Sequence, residues 1–210
     1  MLFSIAKERD APKIYAQLFD YYLAILLFIA LALSLFSTEL VRLLATKNLA
    51  EGAQVLPLLL SSFVFYGVYY YGSIGIQVHK KTYWAPIVMW IAAGLNIAIN
   101  FLLVPKQGML GTSLAKLIAY AILGVTIAVI ASRFYRIPYH YKKIFAIVAL
   151  VVSMYSLSFF APTSPPVKLV LNFMLLAGFP FIVSTLIFHQ KSDINEIRKR
   201  LGEWSSLRAK

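Results

Sequence analysis

Six long apolar stretches alternate with short polar segments along the chain. Each approaches or exceeds the about 20 predominantly apolar residues that a helix needs to cross a bilayer. Several polar segments carry proline or glycine, which stop helices through a missing donor and through backbone freedom. The pattern predicts an all-α integral membrane protein, a six-span helical bundle with spans at about 18–36, 55–76, 83–104, 109–131, 144–160 and 167–188.

Composition excludes an ordinary soluble domain. The 210 residues are 60% hydrophobic and 13% charged, whereas soluble domains are usually about 25% charged. The absence of cysteine removes disulfides and thiolate chemistry. The eight acidic residues form no evident acid and base pair in a span, and the three histidines lie on different connections. We therefore expect no catalytic residue, no metal and no cofactor, and a membrane enzyme is the weaker class.

The positive charges are concentrated on one side of the predicted spans. Of the 20 Lys and Arg residues, 15 fall in the amino-terminal segment, the second and fourth connections and the carboxy-terminal tail. Because cytoplasmic connections hold Lys and Arg in excess, both termini are predicted to be cytoplasmic. The net charge of +12 then reflects topology and attraction to anionic membrane lipids. Nucleic acid is not an expected partner.

The chain divides into a transmembrane bundle, residues 1–190, and a basic tail, residues 191–210. In the tail, Ile194, Ile197, Leu201 and Trp204 recur at helical spacing between basic residues. This pattern favours an amphipathic helix lying in the cytoplasmic interface. A solvated, frayed tail is the alternative, because the stretch is short and its apolar stripe is narrow.

Polar side chains inside the third and fourth spans are the candidate binding residues. Asn96 and Asn100 are one helical turn apart, and Thr112, Lys116 and Tyr120 share one face of the next span. The PKQG turn predicts that these spans form an antiparallel hairpin. At 1.5 Å per residue, Asn96 and Lys116 lie about 13 and about 12 Å from the turn, so the two can meet.

Two interpretations of Lys116 stay open. Its amine can extend toward the outer headgroups or pair structurally with asparagine, or it can face a water-filled pathway as a functional cation. Asparagines in spans often serve only to join helices, at about 0.6 kcal/mol each. Asp20, near the inner end of the first span, is interpreted as a hydrated boundary residue.

Two runs of sequence resemble a known transporter family. They are LFSTELVRLLATKNLAEGAQVLPLLL and GSIGIQVHKKTYWAPIVMWIAAGLNIAINFLLVPKQGMLGTSLAKLIAYA. The spacing of Asn96, Asn100, Pro105, Gly108 and Gly111 is similar to the family stretch aaaxNixxNxxLIPxyGxxGAAxAt. The chain thus looks like the carboxy-terminal half of a polysaccharide transporter or O-antigen flippase of the multidrug/oligosaccharidyl-lipid/polysaccharide superfamily.

The resemblance implies a function and a set of partners. Such flippases move lipid-linked oligosaccharides of the undecaprenyl-diphosphate type across the bacterial cytoplasmic (inner) membrane, using two bundles around a central cavity. The six spans would match the last six of a fourteen-span member, so the chain is expected to be a truncated transporter or one half of a split one. A missing amino-terminal bundle or a second copy would complete it.

Lys116 departs from the family pattern, which has a small or hydroxyl residue there. The resemblance implies a cavity that binds an anionic lipid carrier, with Lys116, Asn96, Asn100, Thr112 and Tyr120 as its candidate lining. The alternative is a non-transporting membrane scaffold or an accessory of a glycan-assembly complex, in which these side chains only pack helices.

Overall fold

The computed structural model describes residues 11–44, 52–160 and 164–188, and these ranges contain helices and connecting turns but no strand. The prediction of an all-α membrane bundle is confirmed. The helices, numbered in chain order, are α1 (Ala11–Leu35), α2 (Ser37–Leu44), α3 (Gly52–Val78), α4 (Trp84–Phe134), α5 (Tyr141–Phe159) and α6 (Pro165–Phe188). The tail predicted at residues 191–210 lies outside the described residues.

Five of these helices are long and apolar enough to cross a membrane, against six predicted spans. The difference lies in α4, whose 51 residues contain the third and fourth predicted spans. Gly108 interrupts α4 with φ +52° and ψ −124°, a conformation that glycine adopts without the penalty of a side chain. We call residues 84–107 the first arm of α4 and residues 109–134 the second arm.

The two arms of α4 fold back on each other as an antiparallel hairpin. Beyond the Gly108 turn, a Cβ atom at Gly111 would lie 2.6 Å from the Leu103 carbonyl oxygen, so only glycine allows this approach. Further along, Val88 on the first arm belongs to the same buried cluster as Leu123 and Ile127 on the second. The hairpin predicted from the PKQG turn is therefore present.

The helix α1 is the centre of the bundle. Its buried stripe includes Tyr15, Leu23, Leu27 and Leu31 at the spacing of one helical face. This stripe packs against α3, α5 and α6, whereas α4 packs mainly against α3. The second arm of α4 and α5 scarcely touch each other, and the seam between them matters for the site.

A buried polar network fixes the point where α1 ends and α2 begins. The side-chain amide of Asn172 on α6 donates to the Leu35 carbonyl oxygen at 2.9 Å, and the Ser158 hydroxyl on α5 donates to the Asn172 side-chain oxygen at 2.6 Å. The break after Leu35 frees a carbonyl that needs a donor when buried. Asn172 supplies that donor and joins three helices.

Large apolar side chains cover the outer surface of the described residues. Ile25 is 61% exposed, Trp90 and Phe101 are each 78% exposed, and Phe160 is 83% exposed. A water-soluble protein would bury such side chains, while a membrane protein presents them to lipid tails. The surface therefore agrees with the apolar length of the helices.

Candidate functional site

An apolar cavity of about 550 Å³ lies between the second arm of α4 and α5, with α1 and α3 behind it. The second arm contributes Gly124, Val125 and Ala128, and α5 contributes Val148 and Val152. Its volume falls within the range of about 300 to 1,000 Å³ that ligand pockets occupy. The cavity lies at the seam where the second arm and α5 have few contacts.

The wall of the cavity offers few hydrogen-bond donors. None of the described residues that line it is charged. Ser61 and Ser132 line it, but their hydroxyls donate within their own helices, to the Pro57 carbonyl at 2.8 Å and to the Val129 carbonyl at 2.8 Å. With these two hydroxyls already satisfied, the part of the wall formed by α3 and the second arm of α4 is suited to a hydrocarbon chain.

One end of the cavity meets a strongly basic segment, residues 133–143, which includes the end of α4, the connection and the first turn of α5 and which we call the basic loop. Arg133, Arg136 and Lys142 are exposed there and Lys143 is partly buried. This connection is one of those predicted to be cytoplasmic. An apolar wall therefore adjoins a concentration of positive charge.

Tyr139 on the basic loop lines the cavity end. Its ring makes an edge contact with Phe19, at 4.9 Å between centroids. Burial, and secondarily the neighbouring Tyr141, raise the pKa of Tyr139 to about 12. Its hydroxyl is therefore neutral at physiological pH, and the positive character of this end comes from the Arg and Lys side chains alone.

A carboxylate is buried beside this end of the cavity. Asp20 on α1 is 2% exposed, and its Oδ2 lies 2.8 Å from Nδ1 of His140 on the basic loop. Its Oδ1 is also buried and has no hydrogen-bond partner within the described ranges of the chain. The expectation of a hydrated boundary residue was wrong, because the basic loop folds over this part of α1 and excludes water.

Aromatic side chains hold the basic loop against α1 and α3. Phe19, which precedes Asp20, contacts the rings of both Tyr71 and Tyr139. The hydroxyl of Tyr71 donates to the Tyr15 carbonyl oxygen at 2.6 Å. Asp20 and His140 are therefore seated in a packed aromatic cluster, and their neighbours Phe19, Tyr139 and Tyr141 form part of the cavity wall.

The environment of Lys116 differs from both interpretations that the sequence left open. Its Nζ lies 4.2 Å from the centroid of the Phe63 ring on α3 and 5.5 Å from that of Tyr120. The side chain is partly buried. Aromatic faces attract a cation through their quadrupole, so the amine has partners without hydrogen-bonding to asparagine.

The two asparagines interact with each other. The Asn100 amide donates to the Asn96 carbonyl oxygen at 2.8 Å and to its side-chain oxygen at 3.1 Å. Neither forms a hydrogen bond with Lys116 in the described part of the chain. The Thr112 hydroxyl lies 3.5 Å from the Gly108 carbonyl at the hairpin turn.

None of the five predicted site residues lines the 550 Å³ cavity. Lys116 and Tyr120 come together, and so do Asn96 and Asn100, but the structure gives no interaction between the two pairs. Asn100 also lines a more open, apolar hollow of about 440 Å³ on the first arm of α4, beside Phe101 and Pro105. The predicted set therefore forms two local groups and not one site.

The residues missed in the sequence are Asp20, His140 and the cavity wall. A carboxylate within a span was itself a signal, because such residues are costly and usually functional. Its partner, 120 positions away, had no local pattern. Within the described residues no group of three His, Asp or Glu side chains could hold a metal ion.

Comparison with protein-family models, with curated proteins and with solved structures gives no match to this chain.

Proposed function

We propose that this chain is a bundle of a polysaccharide-export transporter, which moves lipid-linked oligosaccharide of the polyprenyl-diphosphate type across the bacterial cytoplasmic membrane. One observation carries the proposal: an apolar cavity of about 550 Å³ ends at a loop with four basic side chains. The cavity and the basic loop suit the two parts of such a lipid. The hydrocarbon chain would enter the cavity and the diphosphate would lie at the basic loop.

The two parts of the site contribute differently to selection. Lipid tails are as apolar as the cavity wall, so moving a chain from the bilayer into the cavity provides little driving force. The charged headgroup provides more, at about 1 kcal/mol for each Lys or Arg near an anionic lipid surface. We therefore expect the basic loop to select anionic lipids and the cavity to select the shape of their chains.

The seam between the second arm of α4 and α5 supports movement. Helices that scarcely touch can separate without breaking a packed core, and the described contacts there are few. Transporters of the class that the sequence resembles work by rocking one bundle against another around a binding site. In that mechanism a second bundle, or a second copy, completes the pathway, and no covalent bond changes.

The test is a flipping assay in reconstituted vesicles with a fluorescent polyprenyl-diphosphate oligosaccharide. Dithionite destroys label only in the outer leaflet unless the protein exposes the inner pool. We expect the wild-type chain, alone or with a co-expressed bundle from its gene neighbourhood, to make the inner label accessible. Ala128→Trp fills the cavity and should abolish this, because the side chain of Ala128 lines the wall.

Ala98→Trp is the matched control, since Ala98 is exposed on the first arm of α4 and lines no described cavity. It should flip lipid at the wild-type rate. Equal rates for both variants would exclude the cavity as the pathway. If the wild type flips no lipid in either setting but still retains glycan-assembly proteins, the scaffold alternative gains support.

A further inference from the structure

The pair formed by Asp20 and His140 joins a buried carboxylate to a partly exposed imidazole. The Oδ2 atom of Asp20 lies 2.8 Å from His140 Nδ1, at hydrogen-bond distance, while Oδ1 is buried and has no partner among the described residues. A buried charged oxygen without a partner is costly in a spanning helix. The side chain of His140 is 38% exposed, so one member of the pair has access to solvent.

We propose that Asp20 and His140 form a proton-binding site linked to the anionic headgroup that binds at the basic loop. This inference rests on the proposed function and names the ion that accompanies the lipid. The proton comes from water and binds Nε2 of the partly exposed imidazole, and the buried carboxylate at Nδ1 stabilises the imidazolium that forms. Binding of the headgroup and binding of the proton favour each other.

Geometry gives the site its chemistry. Donation from Nδ1 to Asp20 leaves Nε2 of a neutral His140 ring free to accept a proton, and the resulting imidazolium faces the carboxylate. Asp20 also feels the charge of Lys143 on α5. Among the described residues, Tyr71 on α3 interacts with Asp20, and Tyr139 packs on the neighbouring Phe19. Both are phenols that stay neutral at physiological pH.

The sign of the linkage follows from charge. A diphosphate at the basic loop stabilises an imidazolium in that loop, so lipid binding should take up a proton. Affinity should therefore rise as pH falls, because a histidine side chain gains its positive charge by binding a proton. A single linked proton limits this change to about tenfold per pH unit. Near neutral pH, cargo and proton would load together from the same side.

A direct link to the cavity makes this coupling structural as well as electrostatic. Phe19 precedes Asp20 in the chain, and Tyr139 and Tyr141 flank His140, and all three line the cavity. Any change in the Asp20 to His140 contact therefore shifts the wall at its basic end. Among the described residues, no other acidic side chain makes an ion pair.

The first experiment needs no lipid-linked probe. Solid-state ¹⁵N NMR of the full chain in phosphatidylcholine bilayers, with His79→Gln and His189→Gln, leaves His140 as the only histidine. We expect the Nδ1-protonated tautomer at pH 8, a second ring proton on acidification, and a shift of both signals in Asp20→Asn. A ring that stays neutral down to pH 5, or ignores Asp20→Asn, overturns the proton site.

The second experiment measures binding of farnesyl-diphosphoryl-N-acetylglucosamine by calorimetry in buffers of different ionisation enthalpy. This diester keeps its charge across the range, unlike a phosphate monoester with its second ionisation near pH 6. We expect uptake of up to about one proton and tighter binding at pH 6 than at pH 8. His140→Asn should remove both effects, because it keeps a donor at the Nδ1 position but cannot take a proton.

His79→Asn is the matched control. His79 lies at the same end of the bundle, and its Nδ1 is 3.2 Å from the Gly75 carbonyl, not from a carboxylate. It should keep the wild-type pH dependence. Unchanged linkage in His140→Asn, or dependence on Na⁺ at constant pH, overturns the proposal. Absence of probe binding at every pH removes the linkage and the proposed lipid function together, while the NMR result still decides whether the proton site exists.

Discussion

Asp20 and Lys116 are charged residues within spanning helices, and the structure accommodates them in opposite ways. Asp20 on α1 is 2% exposed and pairs with His140, which is 120 positions away. Lys116 on the second arm of α4 is partly buried and lies over the rings of Phe63 and Tyr120. One charge depends on a distant loop, and the other on its own turn and a neighbouring helix.

The difference follows from side-chain length. A carboxylate on one methylene cannot move away from its backbone, so its environment must bring a partner to it. A lysine has four methylenes, which can lie along apolar surface while the amine finds aromatic faces or water. Loss of a partner should therefore lower the free energy of unfolding much more at Asp20 than at Lys116.

The largest effect is expected from removing the partner of Asp20. His140→Leu leaves the carboxylate buried and unpaired, and should lower the free energy of unfolding by about 3 kcal/mol, since the His140 side chain is partly exposed and the effect lies at the low end for buried pairs. Denaturant unfolding in detergent at pH 8 measures this loss. In the Asp20→Asn background, His140→Leu should lower the free energy of unfolding by less, because no buried charge is then left without a partner. Equal losses in the two backgrounds would show that the pair is not coupled.

The sequence accounts for most of the fold and little of the site. Six apolar lengths predicted the spans, and PKQG predicted the hairpin, because helix length and turn chemistry are local properties. The described part of the structure has five spanning helices where the sequence predicted six spans, and the numbers differ only because α4 continues across Gly108. The cavity exists because the second arm of α4 and α5 make few contacts. No local sequence pattern predicts which helices are in contact.

The candidate residues show the same limit. Asn96 and Lys116 were placed at matching depth, but depth does not fix rotation about the helix axis. The Asn100 amide instead bonds to Asn96, and Lys116 turns toward α3. The burial of Asp20 was not predicted because it depends on the basic loop, whose His140 is 120 positions further along the chain.

A smaller effect is expected at the turn that positions Lys116. Gly111→Ala places a Cβ atom 2.6 Å from the Leu103 carbonyl oxygen, and should cost about 2 kcal/mol, the middle of the range for overpacking. Gly94→Ala is the control on the first arm, where an added Cβ meets nothing within 4 Å. Thermal unfolding of both variants should separate them. Similar melting temperatures would mean that the arms are not closely packed at Gly111.

The contact of Lys116 with Phe63 should contribute less to stability than the close packing at Gly111. Phe63→Leu removes the aromatic face 4.2 Å from Nζ, and a coupling energy of about 1 kcal/mol is expected for a partly desolvated cation over a ring. A double-mutant cycle with Lys116→Met isolates this coupling from the lost apolar area. Phe63→Tyr keeps the ring and should retain the coupling. If the cycle gives no coupling, the amine is held by water or lipid headgroups.

The smallest effect is expected at the asparagine pair, which also tests how far the charge comparison extends to neutral groups. Asn100→Leu removes hydrogen bonds to Asn96 of 2.8 and 3.1 Å within one helix. The carbonyl of Asn96 keeps its place in the helix, so the loss should be about 0.6 kcal/mol, the average for such bonds in membranes. Asn172→Leu is the contrasting variant, because Asn172 joins three helices through Leu35 and Ser158. Unfolding of the two variants in the same detergent should show a clearly larger loss for Asn172. The opposite order would indicate that Asn100 faces a partner bundle or cargo and not lipid.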